Sequence, residues 1–305
     1  MVTKAPKTLF HYCNVTTFFN IIENKSIWLS DIEKSNDTLE LSYMKKEYSN
    51  YASQAIFDFI GYHITNNIPF DEDKLTALSN VFSEIHTLPI SKAWVFCLSE
   101  KGDLLSQWRG YADDGYGIAI GFDRKLFEEI VYAFWESRKE EPHLLWLSKM
   151  NYSKEDMKKE IETLINPLEF GKCITLEEFA EKITQPLSRV DAMAPFFKDS
   201  SFKEEKEWRL AFTSIIGREC NYSKVNRELL VATLGGFSYF PIDKNLVSHL
   251  ELKFKDLKKA INKIILGPKC KVTIKEMQYY LISKGLLRDM NDKSIEIINS
   301  SSSYR

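Results

Sequence analysis

Residues 201–212, SFKEEKEWRLAF, place two acids and a base at alternate positions. Read as a strand, Glu205, Glu207, Arg209 and Ala211 share one face, and Lys206, Trp208, Leu210 and Phe212 share the other, because successive strand side chains point to opposite sides. The two carboxylates would then stand about 7 Å apart, where like charges repel. A pair of carboxylates can divide the roles of glycoside hydrolysis. A single one is enough to cleave an N-glycosidic bond that has a good leaving group. The plain alternative is a wetted strand face on which Arg209 partly compensates the acids.

Two further groups have the residue types of a binding site. His11 and Tyr12 fall near the end of a first strand, where an imidazole can hydrogen-bond a ligand. In CLSEKGDLLSQWRGYADDG, Ser99 ends a buried strand, and Ser106, Trp108, Arg109 and Tyr111 cluster before a turn. Arginine offers a rigid fork of donors for an anion, and Trp and Tyr offer stacking faces. An anionic, aromatic ligand fits that set; a core Trp beside a paired Arg fits it too.

The elements that must carry these residues follow from periodicity. TLFHYCN and SIWLSD read as short strands around a helix, VTTFFNIIENK. Helices are expected over about 38–65 and in DEDKLTALSNVFSEIHTL. KAWVFCLSE reads as a buried strand, followed by a short helix over 103–109, a turn at ADDG and the strand YGIAIGF. RKLFEEIVYAFWESRK is an amphipathic helix, LLWLSKMNYS a strand, and 153–166 and 175–188 are helices. KEWRLAFTS, ELLVATLGGFSYFPI, SHLELKF, INKIILGPK and SIEIINS are strands, with the helix TIKEMQYYLISKGL before the last. The order is not a regular β-α-β alternation. No G-x-G-x-x-G follows the first strand and no phosphate-binding G-x-x-x-x-G-K-[ST] occurs, so an α+β domain with mostly antiparallel strands is expected. One domain spans 1–305, with mainly helical insertions near 38–90 and 153–198.

The 305 residues are 44% hydrophobic and 13% aromatic, enough for a sizeable core. A net charge of −2 gives no global pull toward nucleic acid or anionic lipid. A local patch at Lys253, Lys255, Lys258, Lys259, Lys263, Lys269, Lys271 and Lys275 could track phosphates, or could be a solvated face. Five scattered cysteines without a C-x-x-C argue against a disulfide framework or a structural zinc site. H-E-x-x-H and G-x-S-x-G are absent, and no metal is expected. The N-terminus lacks the apolar core of a signal peptide and no apolar run approaches a membrane span, so a cytoplasmic protein without membrane contact is expected.

LFHYCNVTTFFNIIENKSIWLSDIEKSNDTLE, FCLSEKGDLLSQWRGYADDGYGIAIGFD, SFKEEKEWRL and INKIILGPK, with IEIINSSSSYR more weakly, together resemble the bacterial family named domain of unknown function 2971. That family is associated with mobile defence and abortive-infection loci. More distantly, the pattern is similar to the ADP-ribosyltransferase fold, which implies a split, mostly antiparallel sheet. In the H-Y-E transferases a first-strand His, aromatics around nicotinamide and a later-strand Glu serve NAD. On that resemblance His11 and Glu207 take the His and Glu roles, and Glu205 completes an E-x-E pair. Tyr43, Tyr48, Trp108 or Tyr111 would supply the nicotinamide platform. Arg109 would bind pyrophosphate, with Tyr12, Ser99 and Arg209 also at the cofactor site. The implied activity is that of an NAD-dependent toxin or effector in anti-phage defence. It would cleave the nicotinamide–ribose bond and transfer ADP-ribose to a protein or nucleic acid, with a neutralising or sensor partner protein. A non-enzymatic sensor or interaction module, and a nucleic-acid-processing enzyme, are the alternatives.

Overall fold

The computed structural model describes residues 5–34, 40–69, 72–87, 92–137, 143–164, 175–214, 227–242 and 245–304. Cys173 and Cys220 lie outside them, as does the end of the helix expected over 153–166. The fold is α+β, built on a mostly antiparallel open sheet.

The sheet divides at one strand. Strand β1 (Thr8–Cys13), strand β2 (Ser26–Asp31) and strand β3 (Ala93–Ser99) meet at its centre. On one edge β3 pairs along its whole length with β6 (Glu207–Ser214), which also pairs with β5 (His143–Lys149). On the other edge two wings compete for it. β1 reaches it only through Phe10 opposite Ser99, and β2 only through Ser30 and Asp31 opposite Val95 and Trp94. The strands diverge between those points, around Cys97. The first wing continues from β1 to β4 (Ile118–Asp123), β10 (Ile261–Leu266) and β11 (Glu296–Asn299). The second runs from β2 to β9 (Asn245–Phe254), β8 (Ala232–Ile242) and β7 (Arg227–Glu228). The β10–β11 pair is parallel.

Both faces of the central strands are covered, which explains their nearly continuous apolar runs. Leu9, Trp94, Phe96, Leu98, Leu210 and Phe212 pack under helices α1 (Val15–Asn24), α5 (Arg124–Glu136) and α10 (Ile274–Ser283). Ala93, Val95 and Ala211, on the opposite face, pack under α2 (Glu40–Thr65), α3 (Glu72–Thr87), α6 (Lys154–Leu164), α7 (Leu176–Thr184) and α8 (Leu187–Met193). A separate cluster on that face gathers Tyr12, Ala119 and Ile265 under Trp108 of α4 (Leu105–Tyr111). A short helix α9 (Leu257–Ala260) leads into β10.

The strand row that would set Glu205 beside Glu207 is corrected, while the strand expected at KEWRLAFTS forms over Glu207–Ser214. Residues 200–205 form a 3-10 turn capped by Asp199, which accepts from Ser201 N at 2.9 Å, and Lys206 ends it in the left-handed region with φ of 46°. The strand begins at Glu207, so Glu205 approaches from a turn and not from the strand row. Nor is that face wetted: Glu205, Glu207 and Arg209 are 8%, 5% and 2% exposed.

Gly117 closes the connection between α4 and β4. A Cβ there would lie 2.2 Å from the Cys13 carbonyl oxygen and 2.8 Å from that of Ala112. Both obstacles are backbone and cannot swing aside. Gly117→Ala is expected to lower unfolding stability by about 1–3 kcal/mol in chemical denaturation, as overpacking does.

Candidate functional site

A cavity of about 250 Å³ opens at the divergence of the sheet, between α4 on one side and the helical layer on the other. Phe10, His11 and Tyr12 of β1, Val95, Cys97 and Leu98 of β3, and Glu207 and Arg209 of β6 supply its strand walls. Gln107 and Tyr111 come from α4, and Lys198, Phe202 and Glu205 from the segment before β6.

His11 occupies the gap that the sheet leaves. Its ring stacks on Phe96 at 4.2 Å, and its Nδ1 lies 3.0 Å from the Cys97 carbonyl oxygen. Burial lowers the imidazole to about 4, although the bond to Cys97 opposes that. The ring is therefore neutral at pH 7. A carbonyl can only accept, so Nδ1 carries the proton and Nε2 keeps a lone pair.

The carboxylates form a network with two cations. Arg209 Nε donates to Glu207 Oε1 at 2.6 Å, and Arg209 Nη1 donates to the Pro195 carbonyl at 2.9 Å. Lys198 Nζ donates to Glu205 Oε2 at 2.9 Å and to Glu207 Oε2 at 3.1 Å. Tyr111 donates its hydroxyl to Glu205 Oε1 at 3.1 Å. Burial alone would raise the Glu207 carboxyl, but Arg209, Lys198 and a hydrogen bond from Cys97 together hold it below the usual carboxylate range. Burial and the Glu205 charge raise the Tyr111 phenol, so it stays a donor. Tyr152 accepts from Glu207 N at 2.9 Å, and burial pushes its phenol up to about 12. Two acids face two bases, so the wall is close to neutral overall.

The sequence-predicted residues divide. His11, Tyr12, Tyr111, Glu205, Glu207 and Arg209 line one cavity. Tyr12 does so with its ring, because its hydroxyl donates to the Lys101 carbonyl and accepts from Leu104 N. Ser99, Trp108 and Arg109 are not among the lining residues. Ser99 is buried, and its Oγ donates to the Glu205 carbonyl at 2.7 Å, fixing the turn that carries Glu205. Trp108 is fully buried, edge-on to Tyr12 at 4.8 Å, and donates Nε1 to Asp103 at 2.7 Å. Arg109 is exposed, 5.6 Å from the Tyr304 ring. Of the proposed stacking tyrosines, Tyr48 is buried in the helical layer with its hydroxyl donated to the Ile183 carbonyl, and the side chain of Tyr43 lies outside the described ones.

Sequence reasoning missed Lys198, Cys97, Gln107, Phe10 and Phe202. The signal for Lys198 was a charge deficit: two acids and one base on a buried face leave a cation to be found. Among the basic C-terminal residues, Lys255, Lys258, Lys259, Lys263 and Lys269 each meet a carboxylate, which weakens that stretch as a phosphate-tracking surface. Among the described residues no group of three His, Cys, Asp or Glu could hold a metal ion, and no helix is long and apolar enough to cross a membrane.

Fold and cavity together define an α+β protein whose antiparallel sheet parts around a histidine and a carboxylate pair. Residues 107–210 match the model of a family described as protein of unknown function (DUF2971). The match takes in Gln107, Tyr111, Lys198, Glu205, Glu207 and Arg209 of the cavity. No curated protein and no solved structure matches the chain.

His11 is neutral in the folded state and basic when unfolded. Its lowered folded value supports stability above about 6.5 and withdraws it as pH falls toward about 4. Thermal melts of wild type are expected to lose ground across that window. His11→Asn, which keeps a donor for Cys97, is expected to flatten the loss.

Proposed function

We propose that the cavity binds NAD and breaks its nicotinamide–ribose bond, as an ADP-ribosyltransferase does, passing ADP-ribose to a macromolecule or to water. The observation that carries this reading is the convergence of His11 and Glu207, from the strands on either side of β3, on one cavity beside Cys97. The split, mostly antiparallel sheet supports the transferase-like fold that the sequence resemblance implies.

The chemistry follows from the charges. As the N-glycosidic bond opens, its electron pair leaves with the nicotinamide nitrogen, which becomes neutral, and positive charge builds on the ribose. A buried, ionised Glu207 stabilises that charge more in the transition state than in the ground state. Lys198, Arg209 and Cys97 take three of its four lone-pair positions, which leaves one for a ribose hydroxyl. Nε2 of His11 is an acceptor for another sugar hydroxyl. Tyr111, Tyr12, Phe10 and Phe202 offer aromatic surface for the nicotinamide or adenine ring. Glu205 accepts the proton of the attacking acceptor.

Ligand sites for drug-sized molecules typically enclose about 300–1,000 Å³. The volume here, about 250 Å³, suits one nucleoside half, so the rest of the dinucleotide must lie across the mouth. The pyrophosphate role expected of Arg109 finds no support in the cavity lining. On the family resemblance, the proposed setting is bacterial anti-phage defence, with the protein as a toxin or effector.

Purified wild type is expected to consume NAD and release nicotinamide, and Glu207→Gln to slow this by about 100-fold or more. Equal rates, or equal toxicity on expression, would remove Glu207 from the chemistry. Binding has its own readout. Cys97 is exposed at the divergence, so NAD is expected to slow its alkylation, followed by peptide mass spectrometry.

A further inference from the structure

We propose that Lys198 is the positioning residue of this cavity: its ammonium clasps the carboxylates of Glu205 and Glu207 and sets them side by side on one wall. The proposal rests on the NAD-cleaving reading for its catalytic consequence, and on geometry alone for the clasp.

One nitrogen, on a side chain that is 4% exposed, lies 2.9 Å from Glu205 Oε2 and 3.1 Å from Glu207 Oε2. An ammonium has three donors on a point charge, so it can bond two carboxylates at once. Its Nζ also lies 4.5 Å over the Phe202 ring, a cation–π contact. The groups facing the two carboxylates come from every surrounding element. They are Tyr111 of α4, Arg209 of β6, Cys97 of β3 and Tyr152 after β5, with His11 of β1 lining the same cavity. His11 is neutral at pH 7, and Tyr111 and Tyr152 keep their protons. Arg209 bonds Glu207 directly, whereas Lys198 bonds both acids. Without it, two buried like charges share the wall, and one takes up a proton.

The backbone around Lys198 supports such a role. Its N–H donates to the Asn151 carbonyl at 3.1 Å, and Phe197 forms a bridge with Asn151. The residue is thus anchored to the end of β5 and delivered from the segment that follows α8. The helical stretch before β6 therefore contributes a charge to the cavity and does more than cover the sheet.

The test compares thermal melts from pH 8 to pH 5 for wild type, Lys198→Met, Lys198→Arg and the double variant Lys198→Met/Glu205→Gln. In Lys198→Met one carboxyl has a folded pKa above its unfolded value, which supports stability at low pH and withdraws it as pH rises. Relative to wild type, this variant is therefore expected to gain melting temperature as pH is lowered. The contribution of His11 is common to all four and cancels in the comparison. Lys198→Arg and the double variant are expected to run parallel to wild type. A parallel course for Lys198→Met would overturn the clasp. If Lys198→Met does not fold, the double variant decides: folding with a wild-type slope supports the clasp, and failure to fold refutes it. With NAD as substrate, the acidic limb of kcat is expected to move up by about one pH unit or more in Lys198→Met. A wild type that leaves NAD intact refutes the transferase reading, while the melts still decide the role of Lys198.

Discussion

Two carboxylates held out of water must be neutralised or must surrender one charge. Glu205 and Glu207 meet that demand through Lys198 and Arg209, and much of the surrounding structure serves the arrangement. The Pro195 carbonyl takes the far end of Arg209, Ser99 pins the turn that carries Glu205, and Tyr152 receives the Glu207 amide. Each of these bonds satisfies a polar group that would otherwise be costly to bury. The result is a wall that is charged locally and balanced overall.

The sheet makes room for this wall because two wings share one edge of β3. A continuous ladder would bring β1 and β2 into conflict along that edge, so they part, and the Cys97 carbonyl faces the gap. His11 fills it with an N–H, as a strand neighbour would have done. The ring then has its other nitrogen available to a ligand. A backbone need is met by one side chain.

Trp108 illustrates how a motif can matter without touching ligand. Its indole packs on Tyr12 and is tied to Asp103, which also accepts from Ser300, Ser301 and Ser302 of the C-terminal segment. The serines of that segment thereby hold the start of α4, the helix that brings Gln107 and Tyr111 to the cavity. The stretch LLSQWRGY contributes Gln107 and Tyr111 to the lining, while its Trp builds the support beneath them.

Periodicity and composition alone determined most of the elements. KAWVFCLSE, YGIAIGF and INKIILGPK carry continuous apolar runs because both of their faces are buried, and the helices declare themselves by their spacing. The same reading singled out Glu205, Glu207 and Arg209 by their alternate positions, Tyr111 as an aromatic before a turn and His11 as a histidine on the first strand. It misplaced Glu205 in a strand row, because Asp199 capping and a left-handed Lys206 make a turn of 200–205. Only the tertiary structure decided that Lys198 belongs with Glu205 and Glu207, and that Arg109 and Trp108 do not line the cavity. Local pattern records which face of an element is apolar. It carries no information on which distant cation will answer a buried acid, because that pairing is set by how the layers pack.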